Sequence, residues 1–247
     1  MNSPDKTLIV IPAHNEEETI FEVVTKALAY ADVSVTDDGS RDQTPQILNK
    51  IKDEVRNGGY KYRLHIITHP TATHIPQGLQ DGLKYGIQMH YDFIVTMDAG
   101  LSHNPEALPD FINYNNSVDV VIGSRNNLLN VPFYRKVISK LAGLVVNYSL
   151  TDSYFNFFGS RIRDCTSGYR RYSRRAAEAI SYAELQSKSF DFHMEALAIC
   201  VRSGMKVTEI PIDYVFSNSS FNAKVLKQGI RFGLYLIATK HKRKRLD

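Results

Sequence analysis

The 247-residue sequence contains only two cysteines, Cys165 and Cys200, and they lie far apart in the chain. Their number and spacing exclude a disulfide framework and give no zinc-binding pattern, so we expect a reducing compartment. The first residues lack the basic start and long apolar stretch of a signal peptide. No apolar run approaches the roughly 20 residues that a membrane-spanning helix requires. We therefore expect a cytoplasmic protein that does not span a membrane but is able to lie on one.

Other features that the sequence lacks limit the possible classes of protein further. No Gly-x-Gly-x-x-Gly pattern follows the first apolar segment, which argues against a dinucleotide-binding dehydrogenase. The sequence also has no internal repeat, low-complexity segment or clear linker. Its 43% hydrophobic and 23% charged content is that of an ordinary globular protein. The simplest division is one large domain, residues 1–218, followed by a C-terminal segment, residues 219–247.

The net charge of +4 is small but unevenly distributed. Arginines are concentrated in residues 161–175, and the chain ends in HKRKRLD. Such clusters indicate an anionic partner: nucleic acid, a phosphorylated substrate or acidic lipid. Because no aromatic stacking platform or nucleic-acid motif accompanies the arginines, we expect no nucleic-acid partner.

The C-terminal segment combines apolar and basic residues. An apolar face is formed before the basic end by Ile230, Phe232, Leu234, Tyr235, Leu236 and Ile237. This pattern is typical of a peripheral helix on an anionic membrane surface. It is equally typical of a helix that packs on the domain and carries a solvated basic tail.

The first half of the chain alternates between short apolar segments and longer helical patterns. We predict strands at residues 8–13, 33–36, 63–68, 93–97 and 118–122, and helices at residues 16–30, 44–55 and 78–90. This alternation predicts an α/β fold with a mostly parallel sheet and helices on both faces. Ligands of such sheets bind beyond the carboxyl ends of the strands. Three polar clusters fall at such ends: His14-Asn15-Glu16, Asp37-Asp38-Gly39-Ser40 and Asp98.

The second half is less regular. We predict helices at residues 135–150 and 192–202, and strands at residues 166–172 and 207–215. Pro211 interrupts the last strand, which indicates a sheet edge or a bend.

Seven segments in order carry a family resemblance: IPAHNEE, VTDDGS, IVTMDAG, VIGSR, DCTSGYRRY, FHMEAL and VTEIPIDY. Together they resemble the inverting glycosyltransferases that include dolichyl-phosphate mannosyltransferase, over most of the chain. The resemblance implies the GT-A fold of nucleotide-diphospho-sugar transferases. It also implies transfer of a hexose from a UDP- or GDP-linked donor to a polyprenyl phosphate of the dolichyl or undecaprenyl type.

Candidate donor-binding residues lie in the first two segments. Asn15, Glu17, Asp37 and Asp38 offer polar groups to a base and ribose, and Gly39 permits close approach of the backbone. The resemblance adds Pro12 and Ala13 to the nucleotide site. Taken alone, the DDGS segment is equally a polar turn before a helix.

Asp98 is the candidate metal ligand and a candidate catalytic residue. In the family a pair of carboxylates holds Mg²⁺ or Mn²⁺ against the donor diphosphate, but the second position here is Gly100. His103 is either a further ligand or a surface residue. Metal use with fewer protein ligands remains compatible with water and phosphate completing the shell.

Basic residues are the candidates for binding the acceptor phosphate. The resemblance implies that Arg125, also a candidate catalytic residue, grips the acceptor phosphate with Arg135 and Ser139, which share a helix face. It places Ser167, Gly168 and Arg170 at the sugar pocket. Glu195 is expected to orient a sugar hydroxyl or the metal shell, whereas His193 and Met194 are expected to be packing residues.

A phosphate acceptor is already ionised near neutral pH, so its enzyme needs cations to place it and no general base. The sequence offers the arginines and no dedicated base, which favours a phosphate nucleophile. Two alternatives stay open. One is transfer to a hydroxyl of a glycan or lipid, and the other is a catalytically impaired protein that binds sugar nucleotides.

Overall fold

A computed structural model describes residues 6–129, 133–150, 162–215 and 223–239; of residues 126–129, 133–139, 215 and 223–226 it describes only the backbone. Within these ranges the strands are β1 (Thr7–Ala13), β2 (Asp32–Asp38), β3 (Leu64–His69), β4 (Phe93–Thr96), β5 (Val120–Leu129), β6 (Arg170–Ser173) and β7 (Val207–Val215). The helices are α1 (Ile20–Ala27), α2 (Thr44–Arg56), α3 (Ile75–Gln88), α4 (Leu108–Ile112), α5 (Phe133–Ser149), α6 (Arg174–Ser181), α7 (Phe192–Arg202) and α8 (Ala223–Ala238).

The described strands form one sheet in the order β3-β2-β1-β4-β6-β5-β7. Strands β1 to β4 pair in parallel with one another, and β5 pairs in parallel with β7. Strand β6 runs antiparallel between β4 and β5. The prediction of a mostly parallel α/β sheet is therefore confirmed, and Pro211 lies on β7 at the sheet edge, as expected.

Successive residues of β1 point to opposite sides of the sheet, and the residues on both sides are buried. Leu8 and Val10 pack in one apolar cluster with helix α3. Ile9 and Ile11 pack in a second cluster with helices α1 and α2. Burial on both faces explains why the strand residues read as a continuous apolar run.

Helix α3 approaches the sheet unusually closely through three glycines at i, i+4 and i+8. A Cβ on Gly82 would lie 2.3 Å from Val10 Cγ1, and one on Gly86 would lie 2.5 Å from Ile94 Cδ1. At Gly78 the nearest contact is looser, 3.6 Å from Thr36 Cγ2. Because these three glycines have no side chains, helix α3 packs directly against β1 and β4.

Among the differences between predicted and observed elements, three affect segments that carry candidate site residues. Helix α1 begins at Ile20, four residues later than predicted, because Glu16 N–H donates to Thr44 Oγ1 and ties this segment to the next loop. Strand β6 begins only at Arg170, since the preceding turn is held by side-chain hydrogen bonds to Asp164. Strand β5 continues past residue 122, with a register shift between Arg125 and Asn127. Arg125 therefore lies within a strand at an irregularity and not beyond a strand end.

Helix α8 packs against α5, and this packing corrects the predicted apolar face. Phe232 and Leu236 are buried in the core cluster that includes Val146 of α5. Ile230 and Leu234 stay exposed. The residues predicted to form one apolar face therefore lie on two faces of α8. One face packs against α5, and the other is exposed to solvent. The division of the chain at residue 218 remains a prediction.

None of the described helices is long and apolar enough to cross a bilayer.

Replacing Gly82 with alanine tests the close approach of α3. We expect Gly82→Ala to lower the free energy of unfolding by about 1–3 kcal/mol, because the added methyl group overlaps Val10. Urea denaturation measures the change. The matched control is Gly229→Ala on α8, where a Cβ meets open space, so stability should stay equal or rise by up to about 1 kcal/mol. Equal stability of the two variants would contradict this account of the packing.

Candidate active site

The parallel strands bring the predicted site residues to one edge of the sheet. Ala13 pairs in register with Asp37 where β1 and β2 end. Thr96 ends β4 and pairs with Arg170, the first residue of antiparallel β6. Thr96 Oγ1 also donates to the carbonyl oxygen of Gly168 at 2.8 Å. The reversed direction of β6 therefore places the loop before it beside the carboxyl end of β4.

Two loops meet at the nucleotide end of this edge, residues 14–19 after β1 and residues 39–44 after β2. Asn15 has a left-handed backbone (φ 55°), and its Oδ1 accepts from Arg41 N–H at 2.8 Å. Glu17 Oε2 accepts from Gln43 N–H at 2.9 Å. The predicted ligands Asn15 and Glu17 thus join the loops to each other.

A cleft of about 490 Å³ opens beside these two loops. It is lined by Asn15, Glu16, Glu17, Glu18, Thr19, Arg41 and Asp42. Burial is the main reason that the pKa of Glu16 is raised, and the negative charges of Asp98 and Asp42 raise it further, although a hydrogen bond from Thr19 lowers it. The wall of this cleft therefore lies within electrostatic range of Asp98.

The aspartates of the DDGS segment are buried. Asp37 accepts from Ser40 N–H at 3.1 Å. Asp38 accepts from the N–H and hydroxyl of Thr73, from His74 N–H and from His69 Nδ1, all between 2.7 and 2.8 Å. Burial alone would raise the pKa of Asp38, but these hydrogen bonds outweigh it and lower its pKa below the usual value.

Asp38 and Gly39 have structural contacts within the chain, and their contact with a donor nucleotide stays a prediction. The Asp38 carboxylate holds residues 69–74 in place, and His69 reaches on through Nε2 to Asp81 at 3.1 Å. At Gly39 (φ +70°) a Cβ would lie 2.8 Å from Ala72 N, so the chain itself approaches this glycine closely. Of the first strand's candidates, Ala13 is buried and Pro12 lies near Gly78, with 3.7 Å to its missing Cβ.

Asp98 presents its carboxylate at the sheet edge, with 44% of the side chain exposed. Its N–H donates to His103 Nδ1 at 3.1 Å. The His103 ring is 2% exposed and stacks on Tyr169 with 5.1 Å between centroids. Burial lowers the pKa of His103 although Asp98 acts to raise it. His103 is thus not a surface residue; it is a buried support for the Asp98 backbone.

Gly168 and His193 complete the surroundings of Asp98. A Cβ on Gly168 would lie 2.8 Å from His193 Nε2 and 3.3 Å from Asp98 Oδ1. Because residue 168 has no side chain, its backbone packs close to both an imidazole nitrogen and a carboxylate oxygen. Burial, with the charges of Arg170 and Arg125, holds the pKa of His193 well below its usual value, so the ring is neutral.

The donor atoms beside Gly168 fit a divalent cation in type. Carboxylate oxygen and neutral imidazole nitrogen are both ligands of Mn²⁺ and similar ions. No group of three or more such side chains within the described part of the chain forms a metal site by itself. A cation here would therefore take oxygens from water and a diphosphate as well.

Arg125 is paired with Asp164, a residue that the sequence patterns did not single out. Nε lies 2.6 Å from Asp164 Oδ2, and Nη2 lies 2.7 Å from Oδ1 and 2.6 Å from the Thr166 hydroxyl. Burial alone would raise the pKa of Asp164, but the hydrogen bonds and charge of Arg125 lower it to about 2. The sequence did contain a signal for this ion pair, because Asp164 is the one carboxylate within the arginine-rich residues 161–175.

The remaining pocket candidates are buried supports. Arg170 is fully buried and donates to the carbonyl oxygens of Cys165, Ser167 and His193, so it shapes the loop. Ser167 is also buried. Glu195 accepts from Gln186 N–H and Ser187 N–H.

Helix geometry explains the outcome for Glu195. Two residues along a helix correspond to a rotation of about 200°, so Glu195 points away from the side that His193 presents to Gly168. In the structure Glu195 orders the loop before α7, and its contact with sugar or metal stays a prediction. His193, expected to be a packing residue, is the one that faces Asp98. Arg135 and Ser139 lie on α5, outside the residues whose side chains the structure describes.

Substitution of Asp164 tests the ion pair. Asp164→Asn should lower the free energy of unfolding at pH 7 by about 3 kcal/mol, because Arg125 is left with a neutral partner. The folded-state pKa lies below that of the unfolded chain, so the carboxylate stabilises fully above about pH 4. The difference between wild type and variant should therefore shrink as pH falls from 4 towards 2.

Urea denaturation at several pH values measures this difference. Asp53→Asn is the control, since Asp53 is 70% exposed in a surface pair with Arg56, and its effect should be within about 1 kcal/mol. A difference for Asp164→Asn that stays constant down to pH 2 would contradict the assignment.

Comparison with known proteins gives a consistent group. The family described as "Glycosyl transferase family 2" matches residues 8–181. An undecaprenyl-phosphate mannosyltransferase of Micrococcus luteus is 30% identical over 217 residues, which cover 85% of this chain and 84% of that one. A polyprenol monophosphomannose synthase of Mycolicibacterium smegmatis is 29% identical over 250 residues, covering 98% and 89%.

Solved structures agree on the fold. A glucosyl-3-phosphoglycerate synthase of Mycobacterium tuberculosis, solved with Mn²⁺, uridine diphosphate and glucosyl-3-phosphoglycerate, aligns with a TM-score of 0.68 at 15% identity, covering 98% of this chain and 82% of that one. A Pyrobaculum calidifontis mannosyltransferase with GDP-mannose and Mn²⁺ aligns with a TM-score of 0.60 at 14% identity, covering 97% and 72%. The predicted GT-A architecture is confirmed.

Proposed function

The chain belongs to glycosyl transferase family 2, and from that premise we propose that it transfers a hexose from a nucleotide-diphospho-sugar to the phosphate of a polyprenyl phosphate, with inversion at the anomeric carbon. The observation that carries the proposal is the exposed Asp98 carboxylate at the sheet edge, with Gly168 beside it and Arg125 nearby. Relatives named for undecaprenyl phosphate and polyprenol support the class of acceptor.

The donor would lie along the carboxyl edge of the sheet. Its nucleoside, UDP- or GDP-linked, fits the end formed by residues 14–19 and 39–44. Its diphosphate then reaches Asp98, where Mg²⁺ or Mn²⁺ would neutralise charge that develops on the leaving group. Solved neighbours with Mn²⁺ and a nucleotide or nucleotide sugar support this placement.

The acceptor side depends on cations. Arg125 uses Nε and Nη2 for Asp164 and Thr166, and no hydrogen bond within the described residues uses Nη1. That nitrogen is the one we assign to the acceptor phosphate, together with Arg135 and Ser139. A phosphate dianion attacks without a general base, so positioning and electrostatic stabilisation supply the rate.

A transfer assay tests this function. The protein receives radiolabelled UDP- and GDP-hexoses with a polyprenyl phosphate and Mn²⁺, and label is counted in the organic extract. We expect label in the organic extract, and we expect mild acid to release it, because a sugar linked through a phosphodiester is acid-labile. Asp98→Asn should lower the rate roughly a hundredfold or more, because the lost interaction contributes several kcal/mol. Asp53→Asn, remote from the edge, should retain the wild-type rate.

Other results would select the alternatives. Acid-stable label in the extract would contradict a phosphate acceptor and favour transfer to a hydroxyl. Nucleotide binding without transfer or hydrolysis of any donor would favour an impaired sugar-nucleotide-binding protein.

A lipid acceptor requires access to a membrane, and helices α5 and α8 offer a surface for it. Ile230, Leu234 and Ile237 recur at the spacing of one helix face and are 57%, 63% and 37% exposed. On α5, Leu141 and Leu144 are 57% and 50% exposed. Exposed basic residues accompany them: Lys140, Lys227 and Arg231. We propose that this surface binds anionic lipid, while the basic end of the chain, residues 240–247, lies outside the described residues.

Vesicle sedimentation tests the membrane surface. Wild type should bind vesicles that contain anionic lipid, and Ile230→Ser with Leu234→Ser should weaken binding roughly tenfold or more, since two large apolar side chains are lost. Tyr182→Ser is the control, because Tyr182 is 74% exposed on another helix end. Equal binding by all three proteins would rule out this surface.

A further inference from the structure

The guanidinium group of Arg125 is bonded along one edge and lies over an aromatic ring. Its Nε and Nη2 bond to the Asp164 carboxylate at 2.6 and 2.7 Å. Because the guanidinium group is planar, these two bonds fix its edge but still allow a tilt about the line through the two nitrogens. The guanidinium carbon lies 5.2 Å from the centroid of the Tyr214 ring, which is within the range of a cation–π contact. The ring therefore limits the tilt.

The pairing of β5 with β7 explains why Tyr214 reaches this arginine. Arg125 is in register with Ile212, and Tyr214 lies two positions further along β7, so the three side chains lie on one face of the sheet. Beyond Arg125 the register shifts, and Tyr214 pairs with Leu128. Irregularities of this kind change the direction of neighbouring side chains and are frequent next to active sites.

A second contact fixes the position of Tyr214 itself. Residues 103 and 214 form an isolated antiparallel β-bridge, and their rings meet edge to face with 6.0 Å between centroids. His103 is in turn fixed, because it is buried, stacks on Tyr169 and accepts the Asp98 N–H. Tyr214 therefore contacts both Arg125 and the residue that supports the Asp98 backbone.

We propose that Tyr214 is a positioning residue for the acceptor phosphate: its ring, held by His103, keeps Nη1 of Arg125 directed at that phosphate. Because it also contacts His103, the same ring sets the position of Arg125 relative to Asp98. The ring and not the hydroxyl performs this role, since both side-chain contacts are contacts of the ring. The inference rests on the proposed function, which assigns Nη1 to the acceptor.

Calorimetric titration with geranyl phosphate, a short prenyl phosphate, tests this role without requiring turnover. Tyr214→Leu should weaken binding of geranyl phosphate roughly three- to thirtyfold, the range expected for a lost cation–π contact. Binding of UDP and GDP with Mn²⁺ should not change, and neither should binding of geraniol, which has no phosphate. Tyr214→Phe keeps the ring and should bind geranyl phosphate as the wild type does. Tyr182→Leu is the matched control, because Tyr182 is 74% exposed on another helix end.

Thermal unfolding of each variant separates positioning from packing, because a residue that only packs would change stability and leave the dissociation constants of the folded protein unchanged. Wild-type affinity of Tyr214→Leu for geranyl phosphate would overturn the inference and leave the proposed function standing. Equal weakening of nucleotide or geraniol binding would overturn it as well, and so would a Tyr214→Phe variant as weak as Tyr214→Leu. Absence of geranyl phosphate binding by the wild type would overturn both proposals.

Discussion

The site depends on how residues 164–169 are held against the end of β4. Two arginines on different strands hold this loop, Arg125 partly buried and Arg170 fully buried. Arg125 of β5 pairs with Asp164 at the start of the loop, and Arg170 of β6 donates to three carbonyl oxygens around it. Charged donors that bond inside the protein gain strength from the low local polarity and are costly to leave unpaired. The loop is thereby fixed with Gly168 beside Asp98.

Much of this fold follows from patterns in the sequence. Helix α7 has the predicted bounds, and β1 with its buried faces was evident from one apolar run. The direction of β6 was not predictable, because strand direction depends on pairing with distant strands and leaves no local pattern. The start of α1 was misplaced for a similar reason, since its first residues bond to a loop some 28 positions away.

The candidate site was predicted in location more accurately than in detail. Asp98 lies at the edge where strand-end reasoning placed it, and Gly168, which only the family resemblance indicated, lies beside it. The roles of Asp38, Arg170 and Glu195 depend on backbone groups that become neighbours only on folding, and each of these side chains is used inside the protein. His193 is buried, as a packing residue is expected to be, and its closeness to Gly168 was not predictable because the two residues lie 25 positions apart in the chain.

A donor diphosphate and its cation at the Asp98 end of the sheet are the central claim. The most direct measurement is anomalous diffraction at the manganese edge from crystals of the protein grown with Mn²⁺ and UDP or GDP. The account predicts one anomalous peak about 2 Å from a carboxylate oxygen of Asp98. A peak among the carboxylates of residues 16–18 instead, with the diphosphate bound there, would contradict it.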